Sequence, residues 1–405
     1  MRTQTATALI STILLIGVGT ACAPRTSGLE ARREADERFR RTTSVVNYDQ
    51  AQQAFESGEI EKARKEIGSA IARSDKEARY WSLLGRIELE AKRLDRSLEA
   101  FAKAIECDPT LADPYYYRGI VHQRWSESAK AVEDYTKAAE LAPDRVAYFL
   151  AAAEVMIAER RLDDARMLLL PKLAHFEHNA AMHELLGEIS MLNQDYPSAA
   201  RSYERALVID AEAPLLAEKL VSAYFSAGEW QACLDAARRQ RSLAARDTTG
   251  RRQEIPNDVY RNEGRSLAML GRMSEARMVF TDQTRAYPED AEAWRDLATS
   301  AVASNDLPRA EQAADRLVAL LSSDAAGYTL RGIVAERNGR FDEAVRWHRL
   351  AVVRAPKSIE SLVALGLALQ YAGKSKEGLE IMAEALKLDP NSSIARRAFA
   401  VAEAE

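Results

Sequence analysis

The feature that most limits what this chain can fold into is a self-similarity of period 34. A small residue is followed twelve positions later by another, seven further on by alanine, and then by proline. Gly85, Ser97, Ala104 and Pro109 fit this pattern, as do Gly119, Ala131, Ala138 and Pro143. Gly332, Ala344, Ala351 and Pro356 repeat it, and so do Gly366, Gly378, Ala385 and Pro390. A chain of 405 residues is too long for one ordinary core. A repeat array solves the problem, because each unit needs to bury its surface only against its neighbours. With 18 glycines and 12 prolines against an abundance of Ala, Leu, Arg and Glu, the composition favours helix throughout.

The pattern resembles the tetratricopeptide repeat, a 34-residue helix–turn–helix unit. That resemblance implies an all-α fold, a right-handed α-solenoid (superhelix) of about ten such units, each with a helix A and a helix B. Extending the period places repeats one to six at Ser44, Ala78, Ala112, Val146, Ala180 and Pro214, and repeats seven to ten at Asn257, Ala291, Ala325 and Ile359. The expected organisation is a signal peptide at 1–21, a charged tether at 22–43 (disordered or loosely helical), repeats at 44–247, an insertion at 248–256, repeats at 257–392 and a C-terminal capping helix at 393–405. The insertion reads either as a hinge or as an extension of the helix before it. Positions 8 and 20 of each repeat lie where two backbones approach, so bulky side chains are excluded there. Position 8 is glycine at Gly85, Gly119, Gly187, Gly264, Gly332 and Gly366, and Val221 is the one residue there that is not small. Position 20 is small in all ten repeats, Ala131, Ala199 and Ala344 among them. Phe101, Tyr135, Tyr203 and Phe280 recur at position 24 as packing knobs. Gly58, Gly228, Gly271, Gly339 and Gly373 stand where helix A must end in a left-handed residue. Repeats four and six are the irregular ones, with Lys172 and Gln240 in place of an expected alanine.

The N-terminus reads as a targeting segment. Arg2 precedes an apolar stretch from Ala8 to Val18, shorter than the roughly 20 residues needed to span a bilayer. Gly19-Thr20-Ala21-Cys22 follows, and it resembles the lipobox of bacterial lipoproteins, with Gly19 where Leu or Val is usual. The resemblance implies lipidation of Cys22, and Ala23 after it implies the outer membrane, with the array facing the periplasm. An ordinary cleavage site at Ala21-Cys22-Ala23 and an uncleaved membrane anchor are the alternatives. Lipidation also resolves the odd count of three cysteines. Cys107 and Cys233, four repeats apart, read as small apolar side chains rather than as a disulfide.

Catalytic signatures are weak. Neither a GxxxxGK[ST] phosphate loop nor a GxSxG elbow is present, and no enzymatic activity or cofactor is expected. His175, His178 and His183 have a spacing that would suit zinc, the basis of an alternative reading as a zinc-dependent enzyme. The first two fall in an inter-repeat loop, and the bland reading is preferred: no metal. His122 and His348 sit at core-type positions. A net charge of −5 argues against a nucleic-acid partner.

What remains is surface. The family resemblance implies that the A helices line a concave groove in which positions 2, 5, 9, 12 and 13 face a bound peptide. Arg79, Arg86, Tyr116 and Arg124 occupy such positions in repeats two and three. Glu154, Glu184, Glu188 and Glu218 do so in repeats four to six, and Arg261, Arg265 and Arg295 in repeats seven and eight. Along the chain this reads as basic, acidic, basic. The expected function is a non-catalytic protein–protein interaction scaffold of the bacterial cell envelope, assisting assembly of pilus, secretion or cell-wall machinery. The rival is a structural protein that associates with itself. The sequence leaves the oligomeric state open.

Overall fold

The computed structural model describes residues 28–211, 213–245 and 254–404. The signal peptide, Cys22, the first residues of the tether and residues 248–253 of the insertion lie outside the described residues. Those described form twenty-one α-helices and one 3-10 turn, with no strand among them. The described residues divide into two compact bodies, one ending at Tyr148 and the other beginning at Phe149.

In the N-terminal body α1 (Gly28–Glu56), α2 (Ile60–Ile71), α3 (Ala78–Glu90), α4 (Leu94–Cys107), α5 (Ala112–Arg124) and α6 (Ser128–Leu141) alternate as A and B helices. Of the two readings left open for the tether, the helical one holds from Gly28, where the chain is continuous with α1, and residues 28–42 of that helix are exposed. Its arginines and glutamates, with few large apolar side chains, are good helix formers that need no packing partner. The core passes from repeat to repeat. Ala51, Ala54, Ala63, Ile67 and Ala70 of repeat one enclose Tyr80, Leu83 and Ile87 of repeat two.

α7 (Val146–Ala158) begins at the end of the first body and continues in the second. There α8 (Leu162–Leu169), α9 (Ala180–Leu192), α10 (Tyr196–Ile209), α11 (Pro214–Ala227), α12 (Trp230–Ala245), α13 (Asn257–Met269), α14 (Met273–Ala286), α15 (Ala291–Ala303), α16 (Leu307–Leu320), α17 (Ala325–Arg337), α18 (Phe341–Arg354), α19 (Ile359–Tyr371), α20 (Ser375–Leu388) and α21 (Ser393–Ala404) follow. α8 is cut short. Pro171 supplies no N–H for a continuing helix, so the chain tightens into a 3-10 turn at Leu170–Lys172 and then runs as turns to Asn179. Lys172 stands where other repeats place a core alanine, and its ammonium lies 5.3 Å from the Phe149 ring centre. α12 runs two residues longer than the usual fourteen of a B helix and ends at Ala245, short of the insertion.

Two local devices hold every helix pair. At position 15 the backbone turns left-handed in all ten repeats. Gly58, Gly228, Gly271, Gly339 and Gly373 do so without penalty, whereas Lys92, Ser126, Arg160, Gln194 and Asn305 adopt φ near 60°. For a non-glycine residue that costs about 1–2 kcal/mol. The second device is an interlock between positions 8 and 24. A Cβ added to Gly119 would stand 2.6 Å from the Tyr135 ring, and one on Gly366 would stand 2.6 Å from Met382. Gly85, Gly187, Gly264 and Gly332 are blocked in the same way by Phe101, Tyr203, Phe280 and His348. Where position 8 is alanine, as at Ala51 and Ala153, position 24 is aliphatic, Ile67 and Leu169. Where it is Val221, position 24 shrinks to Ala237. Position 20 covers the position-8 backbone. Ser97 Oγ donates to the Gly85 carbonyl at 2.8 Å, and a Cβ on Gly378 would meet the Gly366 carbonyl at 2.8 Å.

The interlock predicts a compensation. Gly85→Val alone is expected to cost about 2–3 kcal/mol by overpacking, and Phe101→Ala alone about 3–5 kcal/mol. Together they reproduce the Val221–Ala237 pair. The double variant should fall at least about 1 kcal/mol short of the sum in urea unfolding, and strict additivity would contradict the interlock.

Candidate binding face of the A helices

In the N-terminal body α1, α3 and α5 present a face rich in aromatic rings. Tyr48 and Tyr80 stack at 5.1 Å, and Tyr116 has Tyr117, Tyr135 and Tyr148 at 5.3, 5.6 and 4.8 Å. The arginines of this face are held by rings. Arg79 Cζ lies 5.2 Å from the centres of both Tyr48 and Tyr80, and its one carboxylate neighbour is the half-exposed Glu77 at 3.6 Å. Arg86 Cζ lies 5.1 Å from both Phe55 of α1 and Tyr117 of α5. Among the described residues no carboxylate comes within ion-pair distance of Arg86. A guanidinium over ring faces gains about 0.5–2 kcal/mol, yet its N–H donors point along its own plane and stay available. Arg124 is exposed at the last turn of α5.

The arginines expected to form a second basic zone behave differently, and the sequence reading is corrected here. Arg261 pairs with Asp258 at 2.6 Å and Asp290 at 3.0 Å. Arg265 pairs with Asp296 at 2.8 Å and Glu292 at 3.3 Å, and Arg295 with Glu292 at 2.8 Å and Asp324 at 3.5 Å. Three cations therefore face five carboxylates, and repeats seven and eight present no basic patch. The cause is periodic: position 5 of one repeat meets the acidic residue at position 34, as in Arg261–Asp290 and again in Arg295–Asp324. That signal was present in the sequence and was missed.

Of the four expected acidic residues, three lie together. Glu184 and Glu188 lie one turn apart on α9, half-buried, and Lys219 of α11 reaches them at 2.7 and 3.7 Å. Glu154 of α7 belongs to the same group. Partial burial first, and then Glu188 and Glu184, raise its carboxyl above the ordinary carboxylate range. Glu218 is raised as well, by burial and then by Asp258. The sequence reading did not find Lys219, nor the rings of Tyr48, Phe55, Tyr80 and Tyr117 that clamp the arginines.

His175 and His178 of the loop and His183 of α9 form no common ligand set among the described residues, so the geometry gives the zinc reading no support. His183 is buried on α9 with Nε2 3.0 Å from the Glu177 carbonyl, His178 is exposed, and His175 packs edge-on against Phe176 at 4.6 Å. Among the described residues no three His, Cys, Asp or Glu side chains are placed to hold a metal ion. His122 and His348 are core groups, bonded to Glu127 at 2.6 Å and Glu336 at 3.2 Å. Cys233 is fully buried, and burial pushes its thiol up to about 11. Cys107, expected to be apolar filling, is instead exposed, its Sγ 3.6 Å from the Asp75 carbonyl.

A raised carboxyl implies a definite pH dependence. The folded chain holds the Glu154 proton more tightly than the unfolded chain does, so its ionised form destabilises the fold above its folded pKa, and this is relieved as pH falls below the unfolded value. Glu154→Gln should therefore stabilise at pH 7 by about 0.5 kcal/mol or less, since the side chain is well solvated. The gain should vanish near about pH 4. Urea unfolding at both pH values checks this, and a gain independent of pH would locate the effect in packing.

Comparison with known proteins places this geometry. A family model described as tetratricopeptide repeat matches residues 48–112, 261–325 and 295–359, and a second of the same description matches residues 359–392. A comparison with curated proteins finds no match. Among solved structures the chain is similar to a tetratricopeptide repeat protein from Parabacteroides merdae, at 12% identity over 64% of this chain and 99% of that one, TM-score 0.43. It is similar to YrrB, a TPR protein with an unusual peptide-binding site, at 20% identity over 49% and 98%, TM-score 0.41. The Cut9–Hcn1 hetero-tetramer of the APC/C gives 12% identity over 90% and 84%, TM-score 0.41.

Proposed function

Since the chain belongs to the tetratricopeptide-repeat family, we propose that it is a non-catalytic scaffold that binds a partner protein on its A-helix face and assists assembly of a bacterial cell-envelope complex. The observation that carries the binding reading is Arg86. It is ordered by two aromatic rings, it has no carboxylate partner among the described residues, and it stands beside Arg79 in a similar aromatic setting. An internal structural arginine of this protein looks otherwise, as Arg265 does with its two carboxylates. The N-terminal body thus offers preorganised cations and flat rings, the residue types that anchor protein interfaces, to an acidic or carboxylate-bearing segment.

The envelope setting rests on the sequence Gly19-Thr20-Ala21-Cys22-Ala23. We read Cys22 as lipidated and the array as facing the periplasm from the outer membrane, tethered by acyl chains in which each buried methylene contributes about 0.8 kcal/mol. Cys22→Ala is expected to move the protein from the outer-membrane fraction to the soluble one. A variant that stays in the membrane would support the uncleaved anchor.

Crosslinking in intact cells, followed by purification of the tagged protein, tests the binding reading. One envelope assembly is expected with the wild type. Arg79→Glu/Arg86→Glu should reduce its recovery by about tenfold, the loss of one to two charge-assisted contacts, with the helical signal retained and melting lowered by only a few degrees for the lost ring contacts. Equal recovery with the double variant would overturn the assignment of this face. Recovery of the chain alone, crosslinked between copies, would favour self-association through α21, whose Ile394 and Val401 are exposed on one face.

A further inference from the structure

The second body carries a group of charges that its own packing does not explain. Glu154, Glu184 and Glu188 share one stretch of the A-helix face, and the only cation in ion-pair distance of any of them is Lys219, among the described residues. Three carboxylates thus meet one ammonium. Lys219 engages Glu184 and Glu188 and leaves Glu154 with carboxylates alone as its charged neighbours.

The hydroxyl of Tyr203 points to the same place by independent reasoning. Tyr203 fills position 24 of repeat five, is 2% exposed, and packs its ring against Gly187, between Glu184 and Glu188 in sequence. At the equivalent position Phe101 and Phe280 fill the same space without a hydroxyl. Tyr135 keeps its hydroxyl satisfied by donating to Gln123 at position 12, at 2.7 Å. In repeat five position 12 is Met191, which packs into the core and offers no comparable acceptor. Tyr203 therefore has no hydrogen-bond partner among the described residues, although its ring is buried and its oxygen lies within the field of Glu184 and Glu188. A phenol oxygen without a protein partner can accept from an incoming N–H donor.

We propose that Glu154, Glu184, Glu188 and the hydroxyl of Tyr203 form a site for a lysine or arginine side chain of a basic partner segment, a second binding site opposite in charge to that of the N-terminal body. The ligand class follows from the donor count. An ammonium brings three N–H donors and a guanidinium five, neither brings an acceptor, and the site supplies carboxylate oxygens and a phenol oxygen. Lys219 shows the mode of binding, since an ammonium already sits across two of the carboxylates. The proposal rests on the reading of the A helices as a binding face, but it uses none of the arginines on which that reading was tested.

The probe is a fluorescent, end-capped hexalysine peptide, titrated by anisotropy against the full chain at low and moderate salt, with capped hexaglutamate as control. Hexalysine should bind and weaken with salt. Glu154→Gln/Glu188→Gln should weaken it by about tenfold. Removal of two exposed carboxylates from α20, Glu380→Gln/Glu384→Gln, should change it by less than about twofold. Lys219→Gln, which frees both α9 carboxylates, should tighten binding. Tyr203→Phe should weaken it without loss of stability, because phenylalanine already serves at this position in two other repeats. Equal effects from the α7/α9 and α20 pairs would reduce the result to bulk charge and overturn the site. A Lys219→Gln variant that binds no better, or a Tyr203→Phe variant that is unchanged, would remove those groups from it. Arg79→Glu/Arg86→Glu should leave hexalysine binding intact, so failure of the N-terminal site and failure of this one give different results.

Discussion

Everything in this structure depends on how closely helix A and helix B of one repeat approach at positions 8 and 20. A helix pair this short buries too little surface to persist alone, so each apolar atom has to meet another across the A–B seam and then across the next repeat. Close approach requires that nothing project from position 8, and the ring at position 24 then lies flat over the vacated backbone. Six glycines are covered in this way by Phe101, Tyr135, Tyr203, Phe280, His348 and Met382. The exchange at Val221 and Ala237 shows that a larger residue is accepted at position 8 where position 24 is small, and Ala298 with Ala314 in repeat eight shows that neither a glycine nor a ring is obligatory. The left-handed residue at position 15 follows from the same constraint. Helix B has to return antiparallel at that distance within two or three residues, and five repeats accept a non-glycine residue at φ near 60° to do so.

Once the pair is fixed, the spacing between successive repeats is fixed too, and charge can be written onto it. Arg277 pairs with Asp306, joining position 21 of one repeat to position 16 of the next, and one repeat later Glu311 faces Arg340 at 3.2 Å with the signs reversed. A rung that alternates in sign resists slippage by one repeat, which would bring like charges together. Arg261–Asp290 and Arg295–Asp324 are a second set of rungs, on the A helices. This explains why arginines at apparently equivalent surface positions differ in role. In repeats seven and eight an acidic residue at position 34 claims them for the stack, whereas at Arg86 the neighbours are Phe55 and Tyr117, which orient the group and leave its charge unneutralised.

The repeat register was legible because it is dictated by excluded volume, and excluded volume leaves a plain mark at Gly85, Ala131 or Gly332. Helix A begins at Ala78, Ala112, Val146, Ala180, Pro214, Asn257, Ala291, Ala325 and Ile359, the residues that the period marks. One local feature escaped. Pro171 shortens α8, a consequence of one missing N–H that a search for periodic small residues does not weigh. The arm before Ser44, left open between disorder and loose helix, is helical from Gly28, where charged residues of high helix propensity predominate. The candidate site was legible only in part. A face can be read from positions 2, 5 and 9, but whether an arginine there is free depends on a residue about 29 further along the chain, and whether a glutamate cluster is balanced depends on one lysine, Lys219, from the neighbouring repeat.

This contrast has a consequence for where function is written in a repeat protein. Residues that obey the pattern are spoken for: their volumes and charges are matched within the pair or along the stack. Binding capacity is left where the pattern is broken without internal compensation. Val221 is compensated by Ala237 within the pair. Met191 in place of an acceptor such as Gln123 leaves the Tyr203 hydroxyl without a protein partner among the described residues, in the field of Glu184 and Glu188. Arg86 without its acid is another such break. A partner that binds the folded chain at such a place stabilises it by mass action. These departures are why the two binding sites proposed above fall at Arg79 and Arg86 and at Glu154, Glu184 and Glu188 rather than at the residues that obey the pattern.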